Sequence, residues 1–311
     1  MKVAVLKGGR GLERQVSLRS GARVEDALAG LGHEVVAVDV GAGLVATLRE
    51  ERPDAAFVAL HGQGGEDGTV QELLEILGIP YTGSGAAACG RSLDKTVAKH
   101  ALRAAEVPTP DWFAFNAVAF RELGAAETLD EIGDRLGYPL VVKPAAGGSS
   151  LGVRFAAGAA EVPEALVAAF SYDDRVMIER HVEGRELAVS LVGGIALPAV
   201  EVLPHADDRY DYEARYEIGR TDYVAPAALG VAEGQVLDAA LRTWDALGFD
   251  GFARVDMIHG PDGPEVLEAN AIPGLTDTSQ LPMAAEAAGL GFERLCDRLL
   301  ELALERTAAS V

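Results

Sequence analysis

The chain has 311 residues and a formal net charge of −21, with 27 Lys and Arg against 48 Asp and Glu. Because 49% of the residues are hydrophobic, the composition excludes an intrinsically disordered chain. The acidic excess opposes sequence-independent binding to nucleic acid or to an anionic membrane, so neither partner is expected, and a polyanionic ligand needs a local basic pocket. No apolar run approaches the roughly 20 residues that cross a bilayer, and Lys7 interrupts any signal-peptide core, so we expect a cytoplasmic protein.

Strand-like and helix-like segments alternate in the first part of the chain. Strands are predicted at residues 3–6, 34–40 and 55–60, and helices at residues 15–28 and 70–77. This alternation is typical of a parallel α/β sheet. A new helix begins around residues 92–95, and the first domain boundary is therefore placed near residue 94.

Beyond residue 94 the pattern changes to mixed strands and helices, which predicts two α+β units. Strands are expected at residues 140–143, from residue 153 and at 175–179, with helices at 162–170 and 233–247. The polar, tyrosine-rich stretch 207–223 is predicted to be a loop. Three domains are expected, at residues 1–94, 95–182 and 183–311.

Two carboxylates, a carboxamide and an arginine are expected to meet on one β-hairpin. Arg254 and Asp256 are two residues apart in one predicted strand, as Glu268 and Asn270 are in the next, so each pair faces one side. A hairpin centred on Asp262 places Asp256 opposite Glu268 and Arg254 opposite Asn270. These oxygen ligands suit a hard cation such as Mg²⁺ that bridges phosphate oxygens. The alternative is an ion-pair ladder on a solvated sheet face.

Lys143 ends an apolar strand and is followed at once by the glycine-rich segment 147–152, in a chain that has five lysines. Backbone N–H groups of such a loop can approach an anion and a nearby ammonium neutralises it, which predicts a phosphate-binding flap. Lys95 lies in the first turn of a helix capped by Ser92 or Asp94, where a cation opposes the helix dipole and favours an anionic ligand. For the loop, a purely structural hairpin is the alternative.

Other motifs of nucleotide-binding proteins and hydrolases fail in this sequence. Segment 148–152 matches G-x-S-x-G, with Ser150 as the nucleophile, but a strand and not a helix is predicted after it, which disfavours a serine hydrolase. The run from Gly9 to Arg14 lacks the third glycine of a dinucleotide-binding fingerprint, and no G-x-x-x-x-G-K-[ST] occurs.

Eight stretches in chain order resemble the D-alanine–D-alanine ligases of the ATP-grasp superfamily. They lie at residues 8–18, 59–69, 80–85, 92–95, 142–152, 210–216, 254–256 and 268–276. The resemblance implies an ATP-grasp fold, in which an N-terminal parallel α/β domain precedes two α+β domains that clasp ATP. It also implies an ADP-forming ligase that joins two D-alanines through an acyl phosphate for peptidoglycan synthesis, acting as a homodimer.

The same resemblance implies a set of residues for ATP and its metal. Lys95, Lys143 and Arg215 would contact phosphates, Gly148 and Ser149 would belong to the closing loop, and Glu186 would bind the ribose. Glu179, Arg180 and Val182 would form the adenine-binding linker. Two Mg²⁺ ions, with Mn²⁺ as an alternative, would be held by Asp256, Glu268 and Asn270.

For the amino-acid substrates, the resemblance implies a second set of residues. Glu13 would bind the ammonium of the first D-alanine, with His61 nearby and Arg254 at the reacting carboxylate. Ser279, with Gln280 and Gly274 beside it, would receive the second substrate. Tyr216 would close the site by hydrogen bonding towards Ser149 and Glu13.

Several positions depart from the usual family pattern. Arg215 replaces a lysine, Ala271 replaces a common threonine, and Thr278 and Gln280 flank Ser279 where histidine or leucine is often found. A polar Gln280 in the second site leaves D-serine and D-lactate as alternative second substrates. From another class, a nucleotide-binding module that no longer turns over stays open.

Overall fold

The computed structural model describes residues 1–148, 150–204 and 221–309. The N-terminal part forms a parallel sheet with strand order β2-β1-β3, as the alternating pattern predicts. Its strands are β1 (Lys2–Lys7), β2 (Glu34–Asp39) and β3 (Ala55–Val58). The helices of this part are α1 (Arg14–Gly30), α2 (Leu44–Glu51), α3 (Thr69–Leu77), α4 (Ala86–Leu93) and α5 (Lys95–Ala104). The α2 helix has no counterpart among the predicted elements.

The central part forms an antiparallel sheet with strand order β4-β7-β5-β6. Its strands are β4 (Trp112–Asn116), β5 (Leu140–Pro144), β6 (Arg154–Ala156) and β7 (Arg175–Arg180), and its helices are α6 (Ala117–Glu122), α7 (Leu129–Leu136) and α8 (Val162–Phe170). One face of the sheet, with Leu140, Val142 and Ile178, packs on a hydrophobic core under these helices. The strand β6 follows the glycine-rich loop, so the strand–turn–helix of a nucleophile elbow is absent at Ser150.

The C-terminal part forms a second antiparallel sheet with strand order β11-β10-β8-β12-β13, and β9 pairs with β8. Its strands are β8 (Arg185–Val192), β9 (Ile195–Ala196), β10 (Val200–Pro204), β11 (Thr221–Val224), β12 (Phe252–Gly260) and β13 (Gly263–Asn270). Its helices are α9 (Glu233–Leu247), α10 (Gln280–Ala287) and α11 (Phe292–Ala309). The loop predicted at 207–223 ends earlier, because Thr221 begins β11 and pairs with β10. The remainder, 207–220, lies outside the described residues.

The β12–β13 hairpin has the predicted pairs but not the predicted turn. Asp256 faces Glu268 and Arg254 faces Asn270, as expected. Nearer the turn, Gly260 pairs with Gly263, so the connection has two residues and is not centred on Asp262. A bulge at Leu267 of β13, opposite the step from Asp256 to Met257, absorbs the extra residue.

Packing distinguishes two hydrophobic cores in the described part of the chain. The larger core joins the N-terminal and C-terminal parts and includes Ala98 and Leu102 of α5. The smaller core lies under the central sheet. The three-domain division stays a prediction. In the described ranges no helix is both long and apolar enough to cross a membrane.

Candidate active site

A cavity of about 460 Å³ lies between the central and C-terminal sheets, beneath the glycine-rich loop. Many of the residues predicted to bind ATP or metal line it together. They are Lys95, Lys143, Gly148, Glu179, Arg180, Val182, Glu186, Asp256 and Glu268. Alternation explains the convergence, because Val141, Lys143 and Glu179 occupy the face of the central sheet opposite its core.

One end of the cavity is a mostly apolar slot. Val141 and Phe155, which face each other on β5 and β6, line it from the central sheet. Ile258 and Leu267 line it from the C-terminal sheet, and Glu186, the partner of Ile258 across β8 and β12, also lines it. Apolar walls with a few polar groups at the rim suit a flat heterocycle.

The other end carries positive charge. The Nζ atom of Lys143 lies 2.6 Å from Oε2 of Glu179. The Nζ atom of Lys95 donates to the carbonyl of Gly147 at 2.5 Å and lies 3.5 Å from Oε2 of Glu268. In a chain of net charge −21, two buried ammonium groups under a glycine-rich loop form the local basic pocket that a polyanion requires.

Glu179 and Lys99 extend this charged end behind the cavity wall. The Nζ atom of Lys99 forms an ion pair with Oε1 of Glu179. Burial alone raises the pKa of the Glu179 carboxyl, but the charges of Lys143 and Lys99 outweigh it and hold the pKa below its usual value. Burial lowers the pKa of Lys99 to about 8, against the attraction of Glu179.

The helix α5 places Lys95 at this end. The side chain of Asp94 caps it, with Oδ1 accepting from the backbone N–H groups of Thr96 at 2.9 Å and Val97 at 3.1 Å. Of the two predicted caps, it is therefore Asp94 that acts. The hydrogen bonds outweigh burial and keep the pKa of Asp94 below its usual value.

Carboxylate oxygens of Asp256 and Glu268 reach the cavity from paired positions. Arg254 holds Asp256 in a bidentate ion pair, with Nε to Oδ1 at 2.6 Å and Nη2 to Oδ2 at 2.7 Å. Asn270 lines a small adjoining pocket with Glu268, and its Oδ1 accepts from the N–H of Ile272 at 2.8 Å. Within the described ranges no group of three or more His, Cys, Asp or Glu residues forms a metal site.

Glu13 lies against the glycine-rich loop from the N-terminal side. A Cβ atom at Gly148 would be 3.3 Å from its Oε1, and one at Gly62 would be 2.3 Å from its Oε2. The side chain of Glu13 is buried. The loops after β1 and β3 place it, since Glu13 directly precedes α1 and Gly62 follows β3.

His61 connects the N-terminal sheet to the segment after β13. Its Nδ1 is 3.1 Å from the carbonyl oxygen of Ile272, so this nitrogen donates, and its Nε2 is 3.0 Å from Oγ of Ser20. Ser20 in turn accepts from the N–H of Leu275 at 3.2 Å. The imidazole is therefore fixed between the N-terminal and C-terminal parts.

The residues predicted for the second amino acid form a buried group at the start of α10. Ser279 precedes the helix, and its Oγ accepts from the N–H of Thr276 at 3.1 Å. A Cβ at Gly274 would lie 2.6 Å from that Oγ. The Oε1 of Gln280 is 3.4 Å from Nη1 of Arg254, which links this group to the carboxylate pair.

Ser149, Arg215 and Tyr216 lie outside the described residues. Sequence reasoning missed Lys99 and the apolar walls formed by Val141, Phe155, Ile258 and Leu267. The scarcity of lysine was a signal for Lys99, whereas nothing in the local sequence distinguishes a leucine in a cavity wall from one in a core.

The ATP-grasp fold is defined by a parallel α/β unit followed by two antiparallel sheets. The sheets enclose a cavity with buried lysines and acidic groups. The crystal structure of D-alanine–D-alanine ligase from Bacillus anthracis complexed with ATP has this architecture, with a TM-score of 0.86, 33% identity and full coverage of both chains. The VanG D-Ala:D-Ser ligase from Enterococcus faecalis matches with a TM-score of 0.82 and 27% identity, over 97% of this chain and 99% of that one.

Sequence comparison identifies the family. The model described as D-ala D-ala ligase C-terminus matches residues 101–301, and the model described as D-ala D-ala ligase N-terminus matches residues 42–84. A D-alanine–D-alanine ligase from Anaeromyxobacter sp. (strain Fw109-5) is 46% identical over 302 residues, which cover 96% of each chain. The chain belongs to the D-alanine–D-alanine ligase family.

Proposed function

We propose that this protein joins two D-alanine molecules to D-alanyl-D-alanine, converts ATP to ADP and phosphate, and so supplies a peptidoglycan precursor. One arrangement carries the proposal: Gly148 lines the nucleotide cavity and also lies against the buried carboxylate of Glu13. A phosphate donor and an amino acid are then bound on either side of the same loop.

The reaction needs ATP because a carboxylate is not an electrophile. The γ-phosphoryl group is transferred to the carboxylate of the first D-alanine, the amine of the second attacks the acyl phosphate, and phosphate leaves. Phosphoryl transfer depends mainly on positioning and charge neutralisation. Lys95 and Lys143 would bind the phosphates, and Arg254, buried beside the carboxylate pair, would hold the reacting carboxylate.

The oxygen ligands near the phosphate end fit Mg²⁺, with Mn²⁺ as an alternative. Each oxygen of Asp256 accepts a hydrogen bond from Arg254, and Glu268 faces Asp256 across the hairpin. With Asn270 they would supply two carboxylates and an amide, oxygen ligands of the kind that Mg²⁺ prefers. When bound, the ions would neutralise phosphate charge.

The nucleotide would lie with its adenine between the apolar walls. Glu179, Arg180 and Val182 would contact the base, and Glu186 the ribose. Gly148 and Ser149 would cover the phosphates, and Arg215 would contact them from the 205–220 segment. These assignments are supported by the cavity lining and by the motif positions.

The amino acids would bind on the far side of the loop. Glu13 would bind the ammonium of the first D-alanine and His61 would fix the surrounding backbone. Ser279, Gln280 and Gly274 would surround the second. Tyr216 would close the site over both substrates and shield the acyl phosphate from water.

A D-alanine–D-serine ligase of the same mechanism is the second candidate. Gln280 is buried, and its Oε1 lies towards Arg254, so a polar second substrate would find a hydrogen-bonding partner there. The similarity to the VanG D-Ala:D-Ser ligase supports this candidate at lower identity than the D-alanine–D-alanine ligases.

We further propose that the enzyme acts in the cytoplasm, where ATP is supplied, and as a homodimer, on the basis of the family resemblance. Residues 1–94 would bind the first amino acid, 95–182 would carry the lid, and 183–311 would carry the metal ligands. Light scattering on the purified protein tests the dimer.

Phosphate release with Mg²⁺ and ATP tests the activity. D-alanine, L-alanine, D-serine and D-lactate are offered alone and with D-alanine, and each product is identified by mass. We expect release with D-alanine alone and formation of its dipeptide. Lys143→Ala should abolish release, whereas Lys7→Ala, which removes a lysine that is paired with Glu25 and does not line the cavity, should not.

Other outcomes would contradict the main proposal. Turnover only with D-alanine plus D-serine would select the second candidate. ATP binding without any amino-acid-dependent release would select the binding module. If Ser150→Ala lost all activity but kept its ATP affinity, the result would support the serine-hydrolase hypothesis, in which Ser150 is the nucleophile.

A further inference from the structure

A buried charge cluster lies behind the phosphate end of the cavity. The carboxylate of Glu179 is shared between two lysines, with Nζ of Lys143 at 2.6 Å from Oε2 and Nζ of Lys99 at Oε1. The side chains of Glu179 and Lys99 are only 2% and 1% exposed. Two cations and one anion leave this cluster with a net charge of about +1 at neutral pH.

The two lysines differ in how they are held. Lys99 donates to Oγ1 of Thr109 at 2.5 Å and to the carbonyl of Pro110 at 3.0 Å, forms an ion pair with Oε1 of Glu179, and lies 5.0 Å from the ring centroid of Trp112. The Lys99 ammonium group is thus held inside the protein by two hydrogen bonds and one ion pair.

Thr109 fixes this lysine further. Its hydroxyl donates a hydrogen bond to the carbonyl of Val266 in β13 at 2.7 Å, next to the hairpin bulge. Moving Lys99 would therefore break its contacts with the segment before β4 and disturb the link from Thr109 to the C-terminal sheet. It is a fixed cation.

Lys143 is held by one contact. Glu179 is its single hydrogen-bonding or ionic partner among the residues that the structure describes, and both side chains line the cavity, whereas Lys99 does not. Two donors of Lys143 thus stay available for a ligand. Only Lys143 is placed to turn towards an arriving phosphate.

Turning Lys143 towards phosphate weakens its contact with Glu179. A buried carboxylate that loses its only counter-ion is strongly unfavourable, so Lys143 alone would be retained by Glu179. With Lys99 fixed at the other oxygen, Glu179 keeps a partner and Lys143 can be shared with the phosphate.

We propose that Lys99 is a positioning residue that serves as the permanent counter-ion of Glu179 and so makes Lys143 available to the triphosphate. The inference deepens the proposed ATP-dependent function and rests on it. Lys99 acts through Lys143 and contacts neither substrate. The roles of the lysines are thereby divided: Lys95 and Lys143 bind phosphate, and Lys99 neutralises the acid between cavity and core.

The affinities for ATP and for adenosine, measured calorimetrically without D-alanine, test the proposal. In Lys99→Met the buried carboxylate depends on Lys143 alone. We expect the Kd of ATP to rise at least tenfold and the Kd of adenosine, which has no phosphate, to change less than twofold. A merely structural role would weaken both ligands alike. Lys7→Met is the matched control and should leave the ratio of the two affinities unchanged.

The Glu179→Gln variant shows whether Lys99→Met acts by removing a counter-ion or by disturbing the local packing. In Glu179→Gln the anion is gone, so adding Lys99→Met should change the Kd of ATP less than twofold relative to Glu179→Gln alone. This pair also decides the matter if Lys99→Met by itself does not fold. A tenfold loss in the Glu179→Gln background, or an equal loss for ATP and adenosine, would overturn the inference. Failure of the unaltered protein to bind ATP would instead refute the proposed function.

Discussion

At the scale of single residues, two glycines set the position of the Glu13 carboxylate. Gly62 has φ +67° and leaves no room for a Cβ, which would lie 2.3 Å from Oε2 of Glu13. Gly148 leaves slightly more room, with its Cβ position 3.3 Å from Oε1. The proposed first amino-acid site therefore depends on two glycines, which carry no side chain.

Gly62→Ala should raise the KM for D-alanine at least tenfold, because the new methyl group displaces Glu13. Steady-state kinetics at saturating ATP measure the effect. Gly64→Ala is the matched control, since Gly64 lies in the same loop with φ +87° and nothing within 4 Å of a Cβ position. It shares the backbone strain of the left-handed region but not the contact. Equal effects from both changes would assign the loss to backbone strain alone.

At the scale of elements, the bulge in β13 adds a residue to the cavity wall and keeps the proposed metal ligands Asp256 and Glu268 paired. Val266 pairs with Met257 and Glu268 with Asp256, so Leu267 has no partner on β12 and lines the cavity instead. A regular hairpin would keep the carboxylates paired, but alternation would turn Leu267 to the face opposite Glu268.

Leu267→Ala should raise the KM for ATP by roughly five- to tenfold, which corresponds to about 1 to 1.4 kcal/mol of lost apolar contact. The kcat should change little, because the phosphate contacts are kept. Leu241→Ala, on the outer side of α9 and 37% exposed, is the control and should leave both constants unaltered. An unchanged KM in Leu267→Ala would place the adenine elsewhere.

The N-terminus of α5 is a second element whose local chemistry affects the site. Asp94 caps the helix and also pairs with Arg175 at 3.0 Å, while the N–H of Lys95 donates to the carbonyl of Ala145 at 2.8 Å. The cap thus fixes both the helix start and the strand end that precedes the glycine-rich loop.

Asp94→Ala should lower the free energy of unfolding by about 1 to 2 kcal/mol, the usual contribution of an N-cap. Urea denaturation measures it. Asp94→Asn keeps an oxygen acceptor but removes the negative charge, and it should cost less because the pair with the partly exposed Arg175 contributes little. If both variants lost the same stability, the ion pair would be the important contact.

At the scale of the whole molecule, the N-terminal and C-terminal parts share one core, and the central sheet has its own. Arg306 of α11 also links the C-terminal part to the N-terminal part. It donates to the backbone carbonyl of Tyr81 at 2.9 Å, and its guanidinium lies over the Tyr81 ring. The ATP cavity therefore lies between a large body and a smaller one.

Acid should destabilise this acidic protein through carboxyls that are ionised in the fold. Hydrogen bonds from Arg185 hold the pKa of Glu201 below its usual 4.5, and the pKa of Glu179 is lowered as well. A lowered folded-state pKa gives stability that is present above the unfolded pKa and is lost as pH falls through the folded value. We therefore expect the melting temperature to decrease as the pH drops below about 4.5.

Thermal unfolding between pH 7 and pH 3 measures this loss, and Glu201→Gln should make the fall less steep because one such carboxyl is removed. If repulsion among the acidic groups dominated, the melting temperature would change in the opposite direction, because protonation reduces the net charge and would then raise stability. A melting temperature that rises as the pH falls from 5 to 3 would show that repulsion dominates.

Much of the architecture could be predicted from periodicity. The parallel β1–β3 sheet, the helices α8 and α9, and the pairing of Asp256 with Glu268 follow from alternation and turn residues, which act over short separations. The bulge could not be predicted, because an inserted residue leaves the pairing of the functional positions unchanged. The α2 helix also escaped prediction.

The sequence by itself determined the fold class, the hairpin that pairs the carboxylates and, through its motifs, the family. Only the tertiary structure decided that Lys99 and Lys143 share Glu179, that Glu13 rests against Gly62 and Gly148, and that Leu267 faces the cavity. Periodicity along the chain states which face a residue occupies within its own element. Which elements then meet across a cavity depends on packing between distant segments, such as those of Ser20 and Leu275, which are 255 residues apart, and no local pattern records it.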